Sequence, residues 1–249
     1  MQDGLALNIA VKEYQSGHYL KETLIGRHPL TSMMHECQVE TVLPGLHSID
    51  GSYTEATVLW MDMEFSVEST VDEQDIIILV TPKVQQKWPA MLVLETGFLW
   101  NKPGYLIHEG SALAAISPEG KTVIYTTGTP SSHDANIPTQ NVYLACEFTE
   151  PIVFCTGHQR TVSEVRDLLN RNRNALKAQL EKRGEFAPIY EAVQCAVAWD
   201  TTYDGQKDRV ASPISRLWSI GWGGFVLACW DNYFVSLLSS LVNKELAYA

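Results

Sequence analysis

The chain has 249 residues, 45% of them hydrophobic and 19% charged, with a formal net charge of −11. That length allows one large or two modest domains with a substantial core. The acidic balance speaks against a non-specific nucleic-acid binder and a polybasic membrane surface, so neither nucleic acid nor membrane is an expected partner.

The N-terminus, "MQDGLALNIAVKEYQ", lacks the basic start and apolar centre of a signal peptide. From there to Gly157 the sequence is a series of short runs rich in Val, Ile, Thr and aromatics: "TEATVLWMDMEF", "QDIIILVTP", "AMLVLETGFLW", "GYLIHEG", "KTVIYTTG", "NVYLACEF" and "PIVFCTG". Asp50-Gly51, Pro103-Gly104 and Glu119-Gly120 supply turns between many of them. Strands with no helical pattern between them predict an antiparallel β-sandwich over residues 1–157. Thr129 to Gln140, "TPSSHDANIPTQ", reads as a polar loop in which His133-Asp134 faces solvent.

The five cysteines (Cys37, Cys146, Cys155, Cys195, Cys229) are odd in number and widely spaced, with no CxxC pair. Neither a disulfide framework nor a zinc site is expected, and Cys146, Cys155 and Cys229 sit in apolar runs as small hydrophobes. A reducing, cytoplasmic setting follows. His35 and His47 are too far apart to claim as metal ligands, and GxSxG, HExxH and P-loop motifs are absent from the sequence.

Residues 158–198 change texture. "TVSE" at Thr161 to Glu164 has capping-box spacing, and Val162, Val165, Leu168, Leu169, Leu176 and Leu180 follow at helical spacing. Basic residues between Arg166 and Arg183 are interleaved with Asp167 and Glu181 and read as a solvated face. Gly184 ends this helix. A second is expected from about Glu185, with Phe186, Ile189, Tyr190, Val193 and Val197 on one side.

Residues 199–249 open with a long loop from Trp199 to Gly224, rich in Trp, Arg, Asp and Gly, and end in a helix predicted from about Asn232 with Phe234, Leu237, Leu238 and Leu241 as its buried stripe. The run Ile220 to Val242 is the one candidate membrane span, but Asp231 near its middle costs roughly 2.5–3.5 kcal/mol of insertion free energy. Sugar sites need flat aromatic faces for the C–H surface of the ring, and carboxylates or guanidinium forks for its hydroxyls. Trp199, Trp218, Trp222, Trp230, Tyr233, Arg216, Asp200 and Asp231 supply those groups. Each also has a plainer reading. Asp231 suits a helix N-cap, worth roughly 0.5–2 kcal/mol, and one oxygen could cap while the other faces a pocket. Trp222 and Trp230 suit a core, and Arg216 suits an ion pair with Asp200 or Asp208. Gly221, Gly223 and Gly224 lack the preceding strand of a phosphate loop.

"SPISRLW…GWGGFVLACWDNYF", with "AWDTTYD" upstream, resembles the start of the catalytic domain in glycoside hydrolase family 63 and its relatives. These include bacterial α-glucosidases, mannosylglycerate and glucosylglycerate hydrolases and, more distantly, the trehalases. The specific part is Trp230 to Phe234 after a Gly-Gly pair, and the likeness covers about Trp199 to Leu241. The resemblance implies a β-sandwich, connecting helices and then an (α/α)6 barrel, an α+β multi-domain architecture of which this chain is the N-terminal portion. It implies that Trp230 and Asp231 bind the non-reducing-end sugar of an α-glucoside or α-mannoside, with Tyr233, Phe234, Arg216, Trp218 and Trp222 beside them. It implies inversion by a carboxylic acid and a carboxylate base, without metal or organic cofactor. The acid's Ser-Gly-x-Asp-Asn-like segment and the base's Glu segment are not in this sequence, so the chain by itself is expected to be inactive. The last helix is then expected to expose an apolar face and to associate with itself or a second chain. The rival readings are a non-catalytic sugar-binding or scaffold sandwich, and a subunit of a split glycosidase.

Overall fold

The computed structural model of the chain describes residues 4–20, 41–131, 136–212 and 229–248. A four-stranded sheet has the order β11 (Val142–Glu147), β7 (Ala90–Phe98), β1 (Leu5–Glu13), β2 (Tyr19–Leu20). It faces an eight-stranded sheet ordered β3 (Thr41–His47), β4 (Tyr53–Trp60), β5 (Met63–Asp72), β6 (Asp75–Pro82), β12 (Ile152–Thr156), β10 (Gly120–Thr126), β9 (Ala112–Ser117), β8 (Tyr105–Glu109). The pairings within both sheets are antiparallel. The expected sandwich is therefore present among the described residues, with more strands than the turn signals suggest.

Alternation explains the layering. Ile9, Val11, Leu92, Leu94 and Leu144 point from the small sheet into a core shared with Val58, Phe65, Val67, Ile78, Val80, Leu113, Ile124 and Phe154 of the large one. The neighbouring residues Ile77, Leu79, Val153 and Cys155 point the other way, into a second core. β6 and β12 thus have both faces covered, which accounts for the unbroken apolar runs "IIILV" and "IVFC". Edge strand β3 carries Pro44 and a register irregularity between Pro44 and His47, features that blunt a sheet edge.

Helix α1 (Val162–Glu181) covers the outer face of the large sheet. Its capping box forms as read: Thr161 Oγ1 accepts from the Glu164 amide at 3.3 Å, and Glu164 Oε2 accepts from the Thr161 amide at 2.7 Å. The Thr161 amide and the Thr161 hydroxyl, both donating to Glu164 Oε2, hold the Glu164 carboxyl below its ordinary pKa. Val165, Leu168, Leu169, Leu176 and Leu180 are buried against the sheet, each contributing on the order of 1.5–3 kcal/mol. Polar ties fix the register: Asn172 Nδ2 donates to Thr70 Oγ1 at 2.7 Å, and Arg173 pairs with Glu55 at 3.0 Å.

Three boundaries differ from expectation. Gly184 adopts φ +60 and opens a short 3-10 turn over Gly184–Phe186, so helix α2 starts later and spans Ala187–Asp200 with Pro188 in its first turn. Of the stripe assigned to this helix, Val197 is buried and Tyr190 packs on the second core, whereas Phe186 and Ile189 are exposed. The segment after Trp199 is not one long loop. Trp199 and Asp200 end α2, and β13 (Thr202–Asp204) and β14 (Arg209–Ala211) then form a hairpin. Helix α3 (Cys229–Val242) begins before Asn232, and α4 (Lys244–Tyr248) follows it. No described helix is long and apolar enough to cross a membrane.

Candidate functional site

Helix α3 carries the residues singled out for sugar binding. Trp230, Tyr233, Phe234, Leu237, Leu238 and Leu241 recur at helical spacing and share one face. That face points outward. Trp230 is 73% exposed, Tyr233 and Phe234 are each 66% exposed, and the three leucines are exposed as well. The stripe expected to be buried is thus uncovered among the described residues.

The opposite face is polar. Asn232 Nδ2 donates to the Ser212 carbonyl at 3.1 Å, Ser236 Oγ donates to the Asn232 carbonyl at 2.9 Å, and Ser239 is buried. The Ser239 hydroxyl is buried with no hydrogen-bond partner among the described residues. An amphipathic helix ordinarily turns its apolar stripe inward; α3 does the reverse.

Asp231 lies in the first turn of α3, half-buried, on the flank between these two faces. It is not the N-cap residue that its position before an apolar run suggested, because the helix extends at least to Cys229 on its N-terminal side. A first-turn carboxylate still benefits from the helix dipole, by roughly 0.3–1 kcal/mol. Its oxygens can accept from a donor beside the Trp230 ring. Arg216, Trp218 and Trp222, and the loop pair His133-Asp134, lie outside the described residues, as do Cys37, His35 and the Cys229 side chain. Trp199 is drawn away from α3's outer face, meeting His47 edge-on with ring centres 5.4 Å apart. Asp208 accepts from the Tyr203 hydroxyl at 2.7 Å.

Between the turn before β4, α1, α2 and α4 lies a cavity of about 630 Å³ that sequence reading missed, touched by α3 only at its last residue, Val242. It collects Ser48 and Asp50 from the turn before β4, Asn172 and Gln179 from α1, Gln194 from α2 and Glu245 from α4. Backbone and side-chain hydrogen bonds from Ser52 and Ser48 outweigh partial burial and hold the Asp50 carboxyl below its ordinary pKa. The volume falls in the range that takes small ligands, roughly 300–1,000 Å³. No local pattern announces it, since its walls come from segments that only the fold brings together.

The described residues contain no cluster of three or more His, Cys, Asp or Glu side chains placed to hold a metal ion. Cys146 is buried as a free thiol, and burial pushes its pKa up to about 11 against a weaker pull from Thr126. Cys155 is likewise buried and raised, so neither is an activated nucleophile. Comparison with known families and with curated proteins gave no match to this chain.

Proposed function

We propose that the chain is the N-terminal part of an inverting α-glycoside hydrolase of the family-63 type, acting on gluco- or manno-configured α-glycosides. In this reading it supplies sugar-binding residues, while further polypeptide, in the same or a second chain, supplies the barrel helices with the catalytic acid and base. One observation carries it: the aromatic and aliphatic face of α3 is turned outward while the helix's polar side faces the rest of the protein. A helix of that kind suits the wall of a larger helical assembly.

Within such an assembly the Trp230 indole would offer its face to the C–H surface of a pyranose. The Asp231 carboxylate would accept from two adjacent hydroxyls, charge-assisted bonds that grow stronger as water is excluded. Inversion requires an acid to protonate the leaving oxygen and a base to activate water, with the two carboxyl groups about 6.5–9.5 Å apart. The described residues of α3 provide one carboxylate in its first turn, Asp231, and the reading gives it a binding role.

The test is a titration of the chain joined to its barrel helices with glucose and with mannose, repeated for Asp231→Asn. The variant keeps the shape and removes the charge, so affinity for the preferred sugar is expected to fall at least tenfold. Unchanged affinity would overturn the role of Asp231.

A further inference from the structure

A second cavity, of about 820 Å³, opens at one end of the small sheet, in the sandwich rather than among the helices. Its walls come from three places: Tyr14 just past β1, the β6–β7 loop carrying Gln86 and Trp88, and Glu147 at the end of β11 with Asn136 nearby. The loop is fixed at both ends. Pro82 and Pro89 restrict its backbone, the Lys83 amide donates to the Glu64 carbonyl at 2.8 Å, and the Tyr14 amide donates to the Pro89 carbonyl at 3.1 Å. The buried Lys12 joins the other two walls, donating from Nζ to the Asn136 carbonyl at 2.5 Å while lying 5.0 Å from the centre of the Tyr14 ring.

Two aromatic side chains at this rim are held where water reaches them, Trp88 at 44% exposed and Tyr14 at 41%. Gln86 Oε1, by contrast, is buried and has no hydrogen-bond partner among the described residues. A buried unmet acceptor forfeits a hydrogen bond it makes in water, and a ligand donor would restore it. The cavity's charged lining residues, Lys87 and Glu147, are opposite in sign, so no net field selects an anion or a cation.

We propose that this cavity binds a short neutral oligosaccharide, as an accessory sugar site on the sandwich. The rings of Trp88 and Tyr14 take the C–H faces, Gln86 Oε1 accepts from a hydroxyl, and Glu147 accepts from hydroxyls nearer the rim. A proline-rich peptide also seeks Trp and Tyr rings, but proline has no N–H to offer the Gln86 acceptor. The site stands apart from α3 and does not depend on the reading of Asp231.

The experiment follows amide and indole NMR signals of the full chain during titration with maltotriose, mannotriose and xylotriose, and with a proline-rich peptide. At least one trisaccharide is expected to bind, with shifts centred on Trp88. Trp88→Ala should weaken that binding at least tenfold, Trp88→Phe should keep it within a few-fold, and Asp231→Asn should leave it unchanged. Lack of binding by all three trisaccharides at millimolar concentration overturns the proposal. So does binding indifferent to Trp88→Ala, or binding by the peptide alone. Failure here leaves the α3 reading standing, because that reading is judged by Asp231→Asn in the complete enzyme.

Discussion

Gly157 shows how one residue can hold two parts of the sandwich in place. It adopts φ +71, a conformation costly for residues with a side chain, and a methyl group there would overlap the Asp75 carboxylate. That carboxylate also receives Arg160 at 2.9 Å and His158 at 2.7 Å. Gly157→Ala is therefore expected to destabilise the fold by about 2–4 kcal/mol, as strain and a displaced ion pair combine. Gly110, with φ +61 and open space where a side chain would go, is the control; Gly110→Ala should cost only about 1–2 kcal/mol. Thermal or denaturant unfolding separates the two, and equal losses would show that the Asp75 overlap is relieved without cost.

Glu13 makes the stability of the fold depend on pH. Burial raises its pKa, but the Ser16 hydroxyl and the backbone amides of Ser16, His18 and Gln15 together outweigh burial and hold the carboxyl at about 2. A folded pKa below the unfolded value gives stability that is fully present above the unfolded pKa of 4.5. It is lost as pH falls through the folded value of about 2. The expected contribution is about 1–2 kcal/mol after allowance for solvent screening. Denaturant unfolding at several pH values should show a decline between roughly pH 4.5 and 2 that flattens in Glu13→Gln; an identical decline in the variant would remove Glu13 as the cause.

At the scale of elements, what could be read from the sequence follows how local each signal is. The capping box at Thr161 was legible because its partners are three residues apart, and the strands were legible from β-branched and aromatic runs closed by turns. The start of α2 was misplaced because Gly184 and Pro188 act together: one makes a tight turn and the other begins the helix after it. Asp231 was misplaced because an Asp before an apolar stripe serves equally well as a cap or as a first-turn residue. The direction in which α3 faces was not legible at all. Periodicity identifies an apolar side but not what lies against it.

The outward face of α3 bears on how the chain associates. With Trp230, Phe234 and Leu237 uncovered, the chain by itself should self-associate through that helix. Replacing Phe234 and Leu237 together by Lys should shift the light-scattering mass to that of a monomer and change folding stability by less than about 1 kcal/mol, as expected for exposed positions. Association that persists in the double variant would place the contact elsewhere.

The described residues of the sandwich and α1 form a stack: a small sheet, a large sheet, and α1 across the far face of the large one. The cavity among the helices and the cavity at the end of the small sheet lie in different regions, and both draw their walls from distant parts of the chain. Sequence reading reached the sandwich and the aromatic helix but neither cavity, because spatial convergence leaves no trace in local spacing. β6, clothed on both sides in the finished fold, pairs with β12, where Ile78 lies opposite Phe154. As the protein is made from its N-terminus, Ile77 and Ile78 leave the ribosome long before the strand beside them and the helix above them exist. Until residues 152–180 follow, the centre of the large sheet is an adhesive ribbon with one bare edge and one bare face, and its safe passage depends on how quickly the rest of the polypeptide arrives.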